Sequence, residues 1–232
     1  MPWDVPPHKC ERPNRVISRT ISSSRACADE GHRVHPGLTS DSLSNERAVL
    51  PNHPPVIIDL ISTLEQGKRL VHDMSDSDYA RAPHRLQASS FGAHYRHHIE
   101  HVQLLLSGWA DGVVDYDSRP RDACVEQHRD VALSRTDELI EKLDALTDED
   151  LDRAIEIAHR TSVERGPISA PTTLRRELLF MVSHAVHHYA LMKIIAESFG
   201  HAPDQDFGVM PSTLAHQSGC DQARQDDAVA GE

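Results

Sequence analysis

Histidine is concentrated in two short stretches of this 232-residue chain. One reads Phe91-Gly92-Ala93-His94-Tyr95-Arg96-His97-His98-Ile99-Glu100-His101, the other Val182-Ser183-His184-Ala185-Val186-His187-His188-Tyr189. Both are flanked by apolar residues and both have helical spacing. Successive helical residues turn by about 100°, so His97 shares a face with His94 and His101, while His98 points partly aside. His184 and His188 form an i, i+4 pair, with His187 displaced around the helix. Two imidazoles one turn apart can bind one ion from the same side. A third, from a facing helix, leaves a coordination position for water or substrate, which is the catalytic rather than the closed structural arrangement.

A neutral imidazole enters a helix bundle only if its ring nitrogens find partners. A metal ion supplies one, and an acceptor behind the ring supplies the other. The alternative is a hydrogen-bonded polar seam that locks helix register, with some of the histidines exposed. The pattern is not the His-Glu-x-x-His of metallohydrolases, because Ala185 follows His184 and the adjacent general-base glutamate is absent. Glu100 lies near the first cluster but in a different direction from His97, and takes no base role. No serine or cysteine has the setting of an activated nucleophile.

Four long helices must position these rings. Ile57, Leu60, Ile61, Leu64 and Val71 recur at helical spacing and predict a helix from Val56 to about Met74. Residues 75–88 read as a connection. Ser89 or Ser90 can cap a second helix that runs to about Leu106 and stops near Gly108. A polar connection spans Gly112 to Asp122, and Pro120 suits the start of a third helix over roughly 121–145. Residues 146–171 are mixed: Ala154-Ile155-Glu156-Ile157-Ala158 alternates like a short edge strand, with a helical continuation as the alternative, and Gly166, Pro167 and Pro171 are breakers. Thr172 or Thr173 then caps a fourth helix to about Phe199, with Gly200 placed to end it. The fold class is therefore all-α, a four-helix bundle. It occupies residues 51–216, between disordered tails at 1–50 and 217–232 whose composition is too polar to build a core.

Composition narrows the function. Hydrophobic residues make up 38% of the chain and the formal net charge is −12. The large apolar side chains gather in residues 55–200, enough for one core. No basic stripe with interleaved aromatics occurs, so nucleic acid is not an expected partner. No run of 18 apolar residues occurs, so no membrane span is expected. Cys10, Cys27, Cys124 and Cys220 follow no ligand or disulfide spacing. That usage, without a secretory leader, predicts a cytoplasmic protein.

The histidine segments, with Val114-Asp115-Tyr116-Asp117-Ser118-Arg119-Pro120-Arg121-Asp122 and Asp206-Phe207-Gly208-Val209-Met210-Pro211-Ser212-Thr213-Leu214, resemble the DinB-like superfamily in order and spacing over about residues 56–216. The resemblance implies a four-helix bundle in up-down-down-up order, often a homodimer, with a divalent metal such as zinc, nickel or iron. It implies His184 and His188 as the late ligand pair. It also implies a single ligand from the earlier helix, His97 by motif position, with His94 the alternative. Related domains occur in thiol-dependent S-transferases and isomerases, which makes a small-molecule or thiol substrate the expectation. The chain departs from the many members with Arg-Gly-Gln after the last ligand: here Tyr189-Ala190-Leu191 follows His188.

The loop Asp115 to Asp122 supports two readings. It is either a rim whose Arg119 or Arg121 meets an anionic or thiol-bearing substrate, or a turn fastened by its own Asp–Arg hydrogen bonds, the reading favoured here. For the whole protein, a metal-dependent transferase or hydrolase stands against a metal- or ligand-binding bundle without turnover, whose coordination His94 or His101 would complete. A structural protein whose histidines only pack is the third class.

Overall fold

A computed structural model describes residues 53–84 and 89–219. Four long helices form its frame: α1 (Pro55–Asp73), α3 (Phe91–Gly108), α5 (Arg129–Asp144) and α7 (Leu174–Ser198). α1 and α3 each pack against both α5 and α7. Each turns an apolar stripe inward at three- and four-residue spacing, as with Val56, Ile57, Leu60, Leu64 and Val71 on α1 and Leu174, Leu178, Met181, Ala185, Tyr189 and Met192 on α7. α1 and α7 approach closely at Gly67, where a Cβ would overlap the Tyr189 hydroxyl. That hydroxyl donates to the Thr63 carbonyl at 2.9 Å.

The helix ends follow the sequence. Ser90 accepts from Ala93 N at 3.0 Å and caps α3. Thr173 accepts from Arg176 N at 3.3 Å and caps α7. Gly200, at φ 89°, supplies the left-handed residue just beyond α7. Two short helices, α2 (Asp76–Ala80) and α6 (Asp148–Leu151), fill connections. α2 lies inside the stretch read as a plain connection, with Ser75 accepting from Asp78 N at its start.

The all-α expectation is corrected by a three-stranded mixed sheet among the described residues, with strands β1 (Val113–Asp115), β2 (Ala154–His159) and β3 (Ile168–Thr173). β2 pairs parallel with β1 and antiparallel with β3, in a register that sets Val114 opposite Ile157 and Thr173 opposite Ala154. Only β2 had a readable alternation. β1 is three residues long, and β3 contains Pro171, a residue that reads as a breaker but is tolerated on an edge strand, where one face of the backbone needs no ladder partner.

The expected third helix is also corrected. It is split into α4 (Ala123–Gln127) and α5, because His128 adopts an extended conformation at φ −123°, ψ 109°. The Val125 carbonyl, which a continuous helix would bond to Arg129 N, instead accepts from the buried Tyr79 hydroxyl at 2.7 Å. Of the tails expected at 1–50 and 217–232, only 217–219 are described; they end a helix over residues 211–219, and the rest lies outside the described residues.

α7 is long and apolar enough, by length and composition, to cross a membrane. It nevertheless packs along both α1 and α3 and carries the buried carboxylate of Glu177. Leu179, Leu191 and Ile194 remain exposed on its outer side.

Candidate metal centre

α3 and α7 face each other, and their contact brings the two histidine segments together. His97, His101 and His184 each offer a ring nitrogen, and these atoms lie within 4.8 Å of one another. The ring centroids of His101 and His184 are 4.4 Å apart, and those of His97 and His101 4.5 Å. His188 adjoins the group, with its Nε2 3.1 Å from His184 Nε2 and its ring 4.5 Å from that of His97. His94 lies at the edge, its Nδ1 3.3 Å from His188 Nδ1. Two of the seven histidines in these segments stand apart. His98 packs edge-on between Tyr95 and Tyr189, in the core, and His187 is exposed.

The electrostatics suit a cation. Burial pushes the imidazoles of His97 and His184 down to about 2 and those of His101 and His188 to about 4, with the neighbouring rings adding to the effect. All four are neutral at pH 7, so each has one lone-pair nitrogen. His101 is oriented as well: its Nδ1 donates to the His97 carbonyl at 2.8 Å and leaves Nε2 as the acceptor. His184 Nδ1 is buried without a hydrogen-bond partner. Closely spaced neutral imidazoles with one orphaned nitrogen could coordinate a divalent metal ion.

The sheet explains how one side of the cluster is covered. β1 leads into a 3-10 turn at Tyr116–Ser118. Tyr116 stacks on His101, with centroids 5.5 Å apart and planes at 29°. Its hydroxyl donates to Glu177 Oε2 at 2.9 Å, while Thr172 of β3 donates to Oε1 at 2.9 Å. The buried Glu177 thus ties the turn and the sheet edge to α7. The sequence singled out neither Glu177 nor, within its loop, Tyr116. No local signal pairs two residues 61 apart.

The loop is not fastened by Asp–Arg pairs as expected. Asp115 instead accepts from Asp117 N at 2.9 Å and from the Ser118 hydroxyl at 2.6 Å. Arg119 donates from Nε to the Tyr116 carbonyl at 3.3 Å and from Nη1 to His97 Nδ1. Asp122 N donates to Glu100 Oε1 at 2.8 Å. Glu100 is buried, and burial raises its carboxyl above the ordinary range.

The family model of the DinB superfamily matches residues 63–192, more than half of the chain. The chain belongs to the DinB superfamily. The matched span begins within α1, ends within α7 and contains all of the clustered histidines and the covering loop. A curated relative is FK506-binding protein 5 of Rhizopus delemar, 29% identical over 119 residues. That match covers 51% of this chain but only 31% of the relative, so the chain spans about a third of its length. A DinB-like protein from Bacillus subtilis is a solved structure with 19% identity and a TM-score of 0.46, covering 64% of this chain and 94% of that one.

Of the ligands the superfamily resemblance implies, His97 and His184 meet in the close trio. The third place in that trio is held by His101, with His188 beside it.

Proposed function

We propose that this DinB-superfamily protein is a metal-dependent enzyme in which His97, His101 and His184 hold a divalent cation facing a small-molecule substrate. Three neutral imidazoles with ring nitrogens within 4.8 Å of one another carry the reading. When bound, such an ion supplies Lewis acidity, which lowers the pKa of a coordinated water or thiol. The chain's own residues do the rest. α3 and α7 fix the rings, burial keeps them unprotonated, the His97 carbonyl orients His101, and the Tyr116 ring covers one side. Hydrolysis and thiol S-transfer both suit this arrangement, and the resemblance to thiol-dependent transferases favours transfer. The competing ligand set is His97, His184 and His188. Zinc, nickel and iron are the metals the donor set suits.

The test is elemental analysis of untagged protein purified without added metal. A stoichiometric divalent ion is expected, together with a lower melting temperature after chelation. Metal-free protein whose melting is indifferent to chelator would sink the metal reading.

A second reading is a metal-binding bundle without turnover. The nearness of His188 to His184 favours it, because a fourth imidazole closes the coordination sphere. Exchange of a bound water, followed by relaxation on a paramagnetic ion, separates an open site from a closed one. The assembly we propose is a homodimer through the exposed Leu179, Leu191 and Ile194 of α7, to be checked by light scattering.

A further inference from the structure

Arg119 is the residue at this centre that metal binding alone does not require. Its guanidinium lies against His97 and the Tyr116 carbonyl, and among the described residues it forms no ion pair with a carboxylate. The neighbouring Arg96, by contrast, is paired with Glu126 at 3.3 Å. The Arg119 backbone has little freedom to move away. The preceding turn is held by Asp115 and by the Tyr116–Glu177 bond, and Asp122, three residues on, is held by Glu100.

His97 cannot keep Arg119 and also bind a cation. A neutral imidazole has one lone-pair nitrogen. While Nδ1 accepts from Arg119, Nε2 carries the proton and no lone pair is left. An ion on Nδ1 takes the place of the guanidinium. An ion on Nε2 leaves the proton on Nδ1, so that donor faces donor. By either route Arg119 leaves His97 as the ion binds, yet the pinned loop keeps it at the rim. There it is a partly desolvated cation with Arg121 close by, acted on by the Glu100 and Asp117 carboxylates but ion-paired with neither among the described residues. The planar guanidinium fork matches a carboxylate.

We propose that Arg119 is a specificity-determining residue that, once displaced from His97, binds the carboxylate of a small anionic substrate beside the metal site. The proposal rests on the metal reading above. Within the protein, the rivals for the released guanidinium are Glu100 and Asp117, whose Oε2 and Oδ2 are buried without a hydrogen-bond partner.

Cobalt(II) titration of the full chain, followed by absorption, tests this in a buffer free of carboxylates, then with acetate, then with the neutral isostere acetamide. In the absence of acetate, Arg119→Gln is expected to bind cobalt about tenfold more tightly than the wild type, because a charged competitor for His97 is gone. Acetate should tighten cobalt binding about tenfold in the wild type and leave the variant unchanged, the two ligands being reciprocally coupled through Arg119. Acetamide should do neither. Arg119→Met carries the same expectations should the glutamine variant not fold. Cobalt uptake with an acetate effect equal in wild type and variant, or absent from both, overturns this proposal alone; absence from both is also the outcome if Glu100 or Asp117 captures the guanidinium. No cobalt uptake by the wild type overturns the metal reading and this proposal with it.

Discussion

The two helices that carry the histidines and the sheet that covers them are built on different principles. α3 and α7 are regular, capped by Ser90 and Thr173, and place their rings by helical period alone. The sheet and its turn are short, largely exposed and held by single long-range bonds, chief among them those converging on Glu177. The first region supplies donor atoms. The second decides what stands in front of them. On the reading proposed above, the residues that would bind an ion are separate from those that would select a substrate, and the two should respond differently to mutation.

The largest expected effect lies in the first region. His184→Ala and His97→Ala should each weaken metal binding by of the order of a hundredfold or more, since each removes a ligand. His187→Ala should leave binding unchanged, because that ring is exposed and turned away. His101→Ala and His188→Ala sharpen the assignment. A greater loss with His101 supports the close trio, and a greater loss with His188 restores the set His97, His184 and His188. Equal metal content in all five variants would remove the site.

This division also explains what was legible beforehand. The face shared by His97 and His101, the aside position of His98, the caps of α3 and α7 and the left-handed Gly200 all depend on local period or local chemistry, which a sequence displays. The sheet depends on pairing β1 with a strand about forty residues on and β2 with one about ten to twenty residues on, and two of its three strands lack a pattern of their own. Arg119 was visible as a charge in the Asp115–Asp122 loop. Its direction was not, because it is set by Tyr116 and Glu177, which meet only in the folded chain. The break at His128 was hidden for the same reason: the competing donor is Tyr79, far upstream.

Protonation is the next largest effect, and it again acts on the first region. Burial holds His97, His98, His101, His184 and His188 below the ordinary imidazole range of about 6.5. In the unfolded chain these groups take up protons below about pH 6.5, while the folded protein does not. Their contribution to stability is therefore fully present above that pH and is lost as pH falls toward the folded values of about 2 to 4. The urea midpoint of metal-stripped protein should be lower at pH 5.5 than at pH 7.5. Identical midpoints would mean that the rings are solvated and that the cluster is not packed as described.

In the second region the central test is Glu177→Ala. It leaves the Tyr116 and Thr172 hydroxyls without their acceptor inside the protein, which costs about 2–3 kcal/mol. The expected signature is a loss of stability with cobalt affinity retained, since no ring ligand has been touched. A loss of metal binding as large as that of His184→Ala would show that the sheet helps to build the site rather than cover it.

The smallest effect is expected at Thr173, where the two regions join. This residue ends β3 opposite Ala154 and also caps α7 through Arg176 N. Thr173→Ala removes the cap but keeps the backbone of the ladder, so the cost should be about 1 kcal/mol. Alanine also has the lower strand preference, which adds a little in the same direction. The informative comparison is with Thr173→Ser, which keeps the capping oxygen and loses only the methyl group. If serine restores most of the stability, the helix end governs the junction and the sheet follows from it. If serine is as poor as alanine, the strand governs, and the covering sheet has a firmer hold on α7 than its single bonds to Glu177 suggest.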